Sequence, residues 1–168
     1  ESGVPFYFVR GNHDTASGRQ LLTQLTDEYS LCERLDSTPR DAGSLDAFLY
    51  GVDHTGGNLT AMSPDLPVLT IVVIHETPYP VVDDSGDLIY TRGKTDLRSF
   101  LDQSELDPSL IVSGHMHVGS CGVVRGYDIP VLTTGPTEQI STQTATNNPS
   151  TWLLTVTSDG FEIDRRPL

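Results

Sequence analysis

Two four-residue words carry most of the chemistry in this chain: Gly11-Asn12-His13-Asp14 and Gly114-His115-Met116-His117. Between them stands His75, so four of the five histidines belong to this set. Neutral imidazole is a preferred ligand of manganese, iron, zinc and nickel, whereas magnesium and calcium favour shells made of oxygen. The Asn12 amide oxygen can fill an oxygen position beside the nitrogens. His115 and His117 are two apart and would share a face on a regular strand. Gly114 permits a bend there, and just past a strand end the two rings can diverge to adjacent ions.

Each polar cluster follows directly on an apolar run. Phe6-Tyr7-Phe8-Val9 and Leu110-Ile111-Val112 read as short buried strands, and Val68 to Ile74 reads as a longer one ending at His75. Three strand ends therefore deliver histidines or an amide to one edge, and the carboxyl edge of an open α/β sheet is where ligands and metals are held.

The remaining pattern alternates strands and helices. Asp14 or Thr15 caps a helix expected over 18–27, with Leu21, Leu22 and Leu25 on one face. Strands are expected at Cys32–Leu35 and Ala47–Val52, and loops at 63–67 and 79–87, where proline, aspartate and glycine gather. Leu97, Phe100 and Leu101 place a second helix over 95–103. Strands follow at 122–125, 129–133, 152–157 and 161–164, the last two joined through Ser158-Asp159-Gly160. This order predicts an α/β fold of the layered α+β kind, not a bundle.

A length of 168 residues suits one domain, and no internal repeat argues otherwise. Neither a membrane-spanning run nor the basic and apolar segments of a signal peptide are present, which points to a soluble cytoplasmic protein with no membrane partner. Cys32 and Cys121 form no Cys-x-x-Cys word and are expected as core thiols. Net charge is −13, Lys94 is the only lysine, and aspartate outnumbers glutamate. That balance resembles the surface of a halophile's protein and predicts stability that rises as salt screens self-repulsion. It disfavours bulk nucleic-acid binding, which depends on basic patches.

The two words and the histidine between them resemble the motifs of calcineurin-like metallophosphoesterases. That family's pattern is Asp-x-His, Gly-Asp, Gly-Asn-His-Asp/Glu, a lone His and Gly-His-x-His, and the last three stand here in order over 11–117. The resemblance implies an αββα sandwich of mixed β-sheets flanked by helices, of which this chain would be part. It implies that Asn12, His75 and His115 bind one divalent transition metal and His117 a second, with manganese favoured and iron, zinc or nickel as alternatives. His13 would stabilise the scissile phosphate or protonate the leaving oxygen. Asp14 would organise its loop, with Gly11 and Gly114 supporting the turns. The implied reaction is hydrolysis of a phosphodiester or small phosphomonoester by a metal-activated hydroxide, at a binuclear centre whose ions lie about 3.5 to 4 Å apart.

No Asp-x-His and no Gly-Asp lie upstream of Gly11, and Asp53-His54 has neither their spacing nor their place. The sequence is therefore expected to be a single domain over 1–168 lacking its amino-terminal part, with self-association or pairing with that segment as the consequence. Two alternatives follow: a DNA-repair-type nuclease of the same family, or a non-catalytic remnant or assembly module retaining one metal half-site. Among other residues, His54 reads as a loop or outer residue, Glu76 as an outer acceptor or a solvated side chain, Tyr79 and Arg92 as loop residues within reach of substrate, Asp83-Asp84 as a solvated acidic loop, and Gly135-Pro136 as a turn.

Overall fold

Four consecutive parallel strands form the middle of the sheet because their side chains are apolar on both faces. A computed structural model describes residues 4–14, 26, 32–43, 47–54, 69–104, 106–136, 149–157 and 160–168. The strands are β1 (Tyr7–Phe8), β2 (Glu33–Arg34), β3 (Arg40–Asp41), β4 (Ala47–Val52), β5 (Leu69–Ile74), β6 (Pro78–Tyr79), β7 (Val81–Val82), β8 (Thr95–Asp96), β9 (Leu110–Ser113), β10 (Ser120–Val124), β11 (Pro130–Thr133), β12 (Ser150–Thr157) and β13 (Gly160–Pro167). One helix, α1 (Leu97–Ser104), is among the described residues. Seven strands make a mixed sheet in the order β3-β4-β5-β9-β11-β10-β7, parallel from β4 to β11 and antiparallel at both margins.

Alternate side chains of those central strands enter two separate cores. Tyr50, Val72, Ile74, Ile111 and Val131 face one way and pack with Leu97 and Leu101 of α1. Their neighbours Leu49, Ile71, Val73, Leu110, Val112 and Leu132 face the other way, against Trp152, Leu154, Phe161 and Ile163. The strand period of two thus splits one apolar run between a helical layer and a second β layer, as expected when both faces of a parallel sheet are covered. The second layer is the antiparallel ribbon of β12 and β13, paired from Ser150–Pro167 to Thr157–Gly160. Its inward residues alternate with exposed Thr151, Leu153, Thr155 and Thr157. The fold is mixed α/β, with mixed sheets and few helices among the described residues.

Several boundaries differ from the sequence expectation. The helix expected over 95–103 begins at Leu97, because Thr95 and Asp96 bridge in parallel to Pro78 and Tyr79. Asp96 then caps the helix: its Oδ1 accepts from the Arg98 and Ser99 N–H groups at 3.1 and 3.2 Å, and Ser99 Oγ donates to its Oδ2 at 3.0 Å. The loop expected over 79–87 instead contains β7, which closes the sheet margin against Val123 and Val124. Its two valines are buried, so apolar burial outweighs the surrounding prolines and aspartates. Beyond β7 the chain does turn, with Asp83 Oδ1 accepting from Ser85 and Asp87 N–H groups. Cys121 is exposed on β10, not a core thiol, and Cys32 is half-buried. The helix expected over 18–27 lies outside the described residues except for Thr26, which is helical; the loop at 63–67 and the 158–159 turn also lie outside them. Among the described residues no helix is long and apolar enough to cross a membrane.

Candidate metal centre

The parallel run of β4, β5, β9 and β11 brings four strand ends to one edge, and the backbone keeps them in register for one step beyond the strands. His75 N–H donates to Val52 O, Gly114 N–H to Ile74 O, and Thr134 N–H to Ser113 O, at 3.3, 2.9 and 3.0 Å. The residues that leave β5 and β9 therefore lie side by side before any side-chain contact is considered.

The loop after β1 is fastened to the same edge by Asp53, which is buried at the exit of β4. Asp53 Oδ1 accepts from Arg10 N–H at 2.7 Å, and Oδ2 pairs with the Arg34 guanidinium. The next residue, His54, donates its N–H to Arg10 O at 3.0 Å. Immediately downstream, Asn12, His13 and Asp14 form a turn. Asp14 closes it, since its N–H donates to Gly11 O at 3.2 Å and its Oδ2 accepts from Gly11 N–H at 2.8 Å.

His75 is the centre of the arrangement. Its Nε2 lies 3.2 Å from Asn12 Oδ1. Its ring meets that of His115 edge to face, with centroids 5.3 Å apart. The backbone crowds it from both sides: a β-carbon on Gly11 would come within 2.8 Å of His75 Cε1, and one on Gly114 within 2.9 Å of its Nδ1. Both glycines are thus required by the imidazole they flank. Burial pushes the His75 pKa down and the nearby His115 adds to that, while Asp14 and Glu76 pull it back up. The desolvated ring favours its neutral form, the form that offers a lone pair.

His115 stands in the left-handed region, at φ 67°, inside a three-residue turn in which Met116 N–H donates to Gly114 O at 2.8 Å. Such a conformation is costly for a residue with a β-carbon. It turns the chain sharply where the sequence predicted a bend. Thr77 Oγ1 donates to Met116 Sδ at 3.1 Å, which ties this turn to the loop after β5.

Asn12, His75 and His115 are therefore brought together by direct contacts, while His13 and His117 lie exposed on the same two loops. An amide oxygen and two imidazoles suit one divalent transition ion in donor type. For the expected pair of ions the fit is weaker, since no group of three or more His, Cys, Asp and Glu side chains gathers at metal-holding distance among the described residues.

Three contributors were hidden in the sequence. Asp53 and Arg34 carry no motif, yet they hold the Asn12 loop in place. Glu76 is buried, not solvated, with Oε1 2.5 Å from Lys94 Nζ. His54 Nδ1 approaches the same oxygen to 2.9 Å, close enough for an ion pair but too poorly aligned for a hydrogen bond. The one available signal was that Glu76 directly follows His75.

The family model of calcineurin-like phosphoesterases matches residues 1–119. That span includes β1 to β9 and all of Asn12, His13, His75, His115 and His117, but not β11. No curated protein matches the chain.

Proposed function

The chain belongs to the calcineurin-like phosphoesterase family, and we propose that its own reaction is hydrolysis of a phosphodiester or small phosphomonoester at a binuclear centre of divalent transition metals, manganese first. Metal-dependent phosphoester hydrolysis is the general chemistry of that family. The observation that carries the reading is the meeting of Asn12 Oδ1 with His75 Nε2 at 3.2 Å, beside the His115 ring. On this reading Asn12, His75 and His115 hold one ion and His117 contributes to the second. Held by these residues, a divalent ion would supply charge to polarise phosphoryl oxygens and to make water a better nucleophile near neutral pH.

The chain's own groups supply the rest. His13 belongs to the turn that presents Asn12 and is exposed enough to meet substrate. It offers either a charged hydrogen bond to a phosphoryl oxygen or a proton to the departing alkoxide. Asp14 keeps the turn closed through Gly11 N–H, which fixes where His13 projects.

The test separates ligand from acid. With bis(p-nitrophenyl) phosphate and manganese, His75→Ala should lose both metal binding and hydrolysis. His13→Ala should retain metal binding while kcat falls by about 10² to 10⁴. Hydrolysis by the purified variant that survives His75→Ala at the native rate would refute the assignment.

A further inference from the structure

A carboxylate in the protein interior is expensive unless it is paired, and a buried pair is weak as a source of stability. Glu76 is such a carboxylate: only 6 % exposed, directly after His75, and turned inward. Its contacts reach the segments that leave β4 and β9 and the segment before α1. Oε1 faces Lys94 Nζ at 2.5 Å and His54 Nδ1 at 2.9 Å. Its carbonyl oxygen accepts from Ser113 Oγ at 2.5 Å, one residue before Gly114. Through His54, whose N–H donates to Arg10 O, the chain of contacts extends to the loop that carries Asn12. The segment bearing Lys94 is in turn docked on the loop after β5, with Lys94 and Thr95 N–H groups donating to Thr77 O.

We propose that Glu76 is a positioning residue that fixes the spacing of Asn12, His75 and His115, with Lys94 as the partner of its carboxylate. The chain's one lysine stands at the one buried carboxylate next to a ligand histidine. An ion pair built only for stability would be replaceable by apolar side chains of equal volume. Here the carboxylate joins the Lys94 segment, docked on the loop after β5, to His54 and so to the loop that carries Asn12, while the backbone carbonyl of Glu76 holds Ser113; loss of the carboxylate should loosen the rings rather than the sheet. The proposal deepens the phosphoesterase reading, and only its metal readout rests on that reading.

The experiment compares Glu76→Gln, Lys94→Met and Lys94→Arg with the parent chain. In metal-free protein, the nuclear Overhauser contact between the His75 and His115 rings reports their spacing. A cobalt titration followed by visible absorption reports the donor set, and circular dichroism reports the fold. Glu76→Gln and Lys94→Met should keep the fold, lose the ring contact and weaken cobalt binding by about 10- to 100-fold. Lys94→Arg should restore both readouts. A folded Glu76→Gln protein with the parent's ring contact overturns the proposal. If Glu76→Gln does not fold, Lys94→Met decides, because that side chain is 63 % exposed and its removal opens no core. A parent chain that shows the ring contact but takes up no cobalt refutes the metal-centre reading and leaves the ring contact to judge Glu76.

Discussion

The ribbon of β12 and β13 and the carboxyl edge of the central sheet are built from different kinds of information. In the ribbon, inward Trp152, Leu154, Phe161 and Ile163 alternate with exposed Thr151, Leu153, Thr155, Glu162 and Asp164, and the period of two along the chain specifies which face turns inward. At the edge that alternation stops. Each key contact joins residues far apart in sequence: Arg10 with Asp53, Asn12 with His75, Glu76 with Ser113. The ribbon covers a core face, and the edge aligns polar groups. Substitutions in the two regions should therefore damage different properties.

The largest effect is expected from Asp53→Ala. It leaves the Arg10 N–H and the Arg34 guanidinium without their acceptor. Removing one partner of a buried pair costs about 3–5 kcal/mol, and the 40 % exposure of Arg34 lowers this to about 2–3 kcal/mol. Urea unfolding should show a lower midpoint with an unchanged slope. Manganese affinity should fall as well, because Arg10 leads directly into Gly11 and Asn12. If affinity holds while stability drops, the edge is merely another packing region and the contrast fails.

Leu154→Ala probes the other side. The side chain is half-buried against the sheet face, so the loss should be about 1–2 kcal/mol, below the range for a fully buried leucine. Manganese affinity and hydrolysis at a temperature where the protein stays folded should match the parent. A fall in affinity would mean that the ribbon transmits strain through Ile71 and Leu110 to the strand ends.

The same contrast explains what the sequence made legible. Ala47–Val52 and the run ending at Ile74 stand out because burial on both faces demands uninterrupted apolar residues. The ribbon stands out because burial on one face demands alternation. Val81 and Val82 were concealed, since two apolar residues between prolines and aspartates carry no period, and only the neighbouring β10 makes them a strand. The start of α1 is not legible in the apolar stripe because Asp96 serves as a cap, and a cap is not part of that stripe. At the site, Gly11, Gly114 and the histidines could be read from their order. Asp53, Arg34, Glu76 and Lys94 could not, because each is an ordinary charged residue whose role exists only through a partner brought near by the fold.

His115→Gly should have the smallest effect on stability and still abolish the donor set. The left-handed backbone at φ 67° costs a residue with a β-carbon about 1–2 kcal/mol, which glycine avoids. Glycine in exchange loses about 0.5–1 kcal/mol through its freer unfolded chain. The two contributions nearly cancel, and the exposed imidazole buries little, so the urea midpoint should stay within about 1 kcal/mol of the parent. Metal binding should nevertheless fall, since one of the two imidazoles in contact is gone. This is the reverse of Leu154→Ala, where stability falls and binding stays. A large loss of stability in His115→Gly would show that the edge-on contact with His75 carries packing energy of its own. The strain at His115 would then be held by the ring pair itself, and the sheet edge would not be separable from the core beneath it.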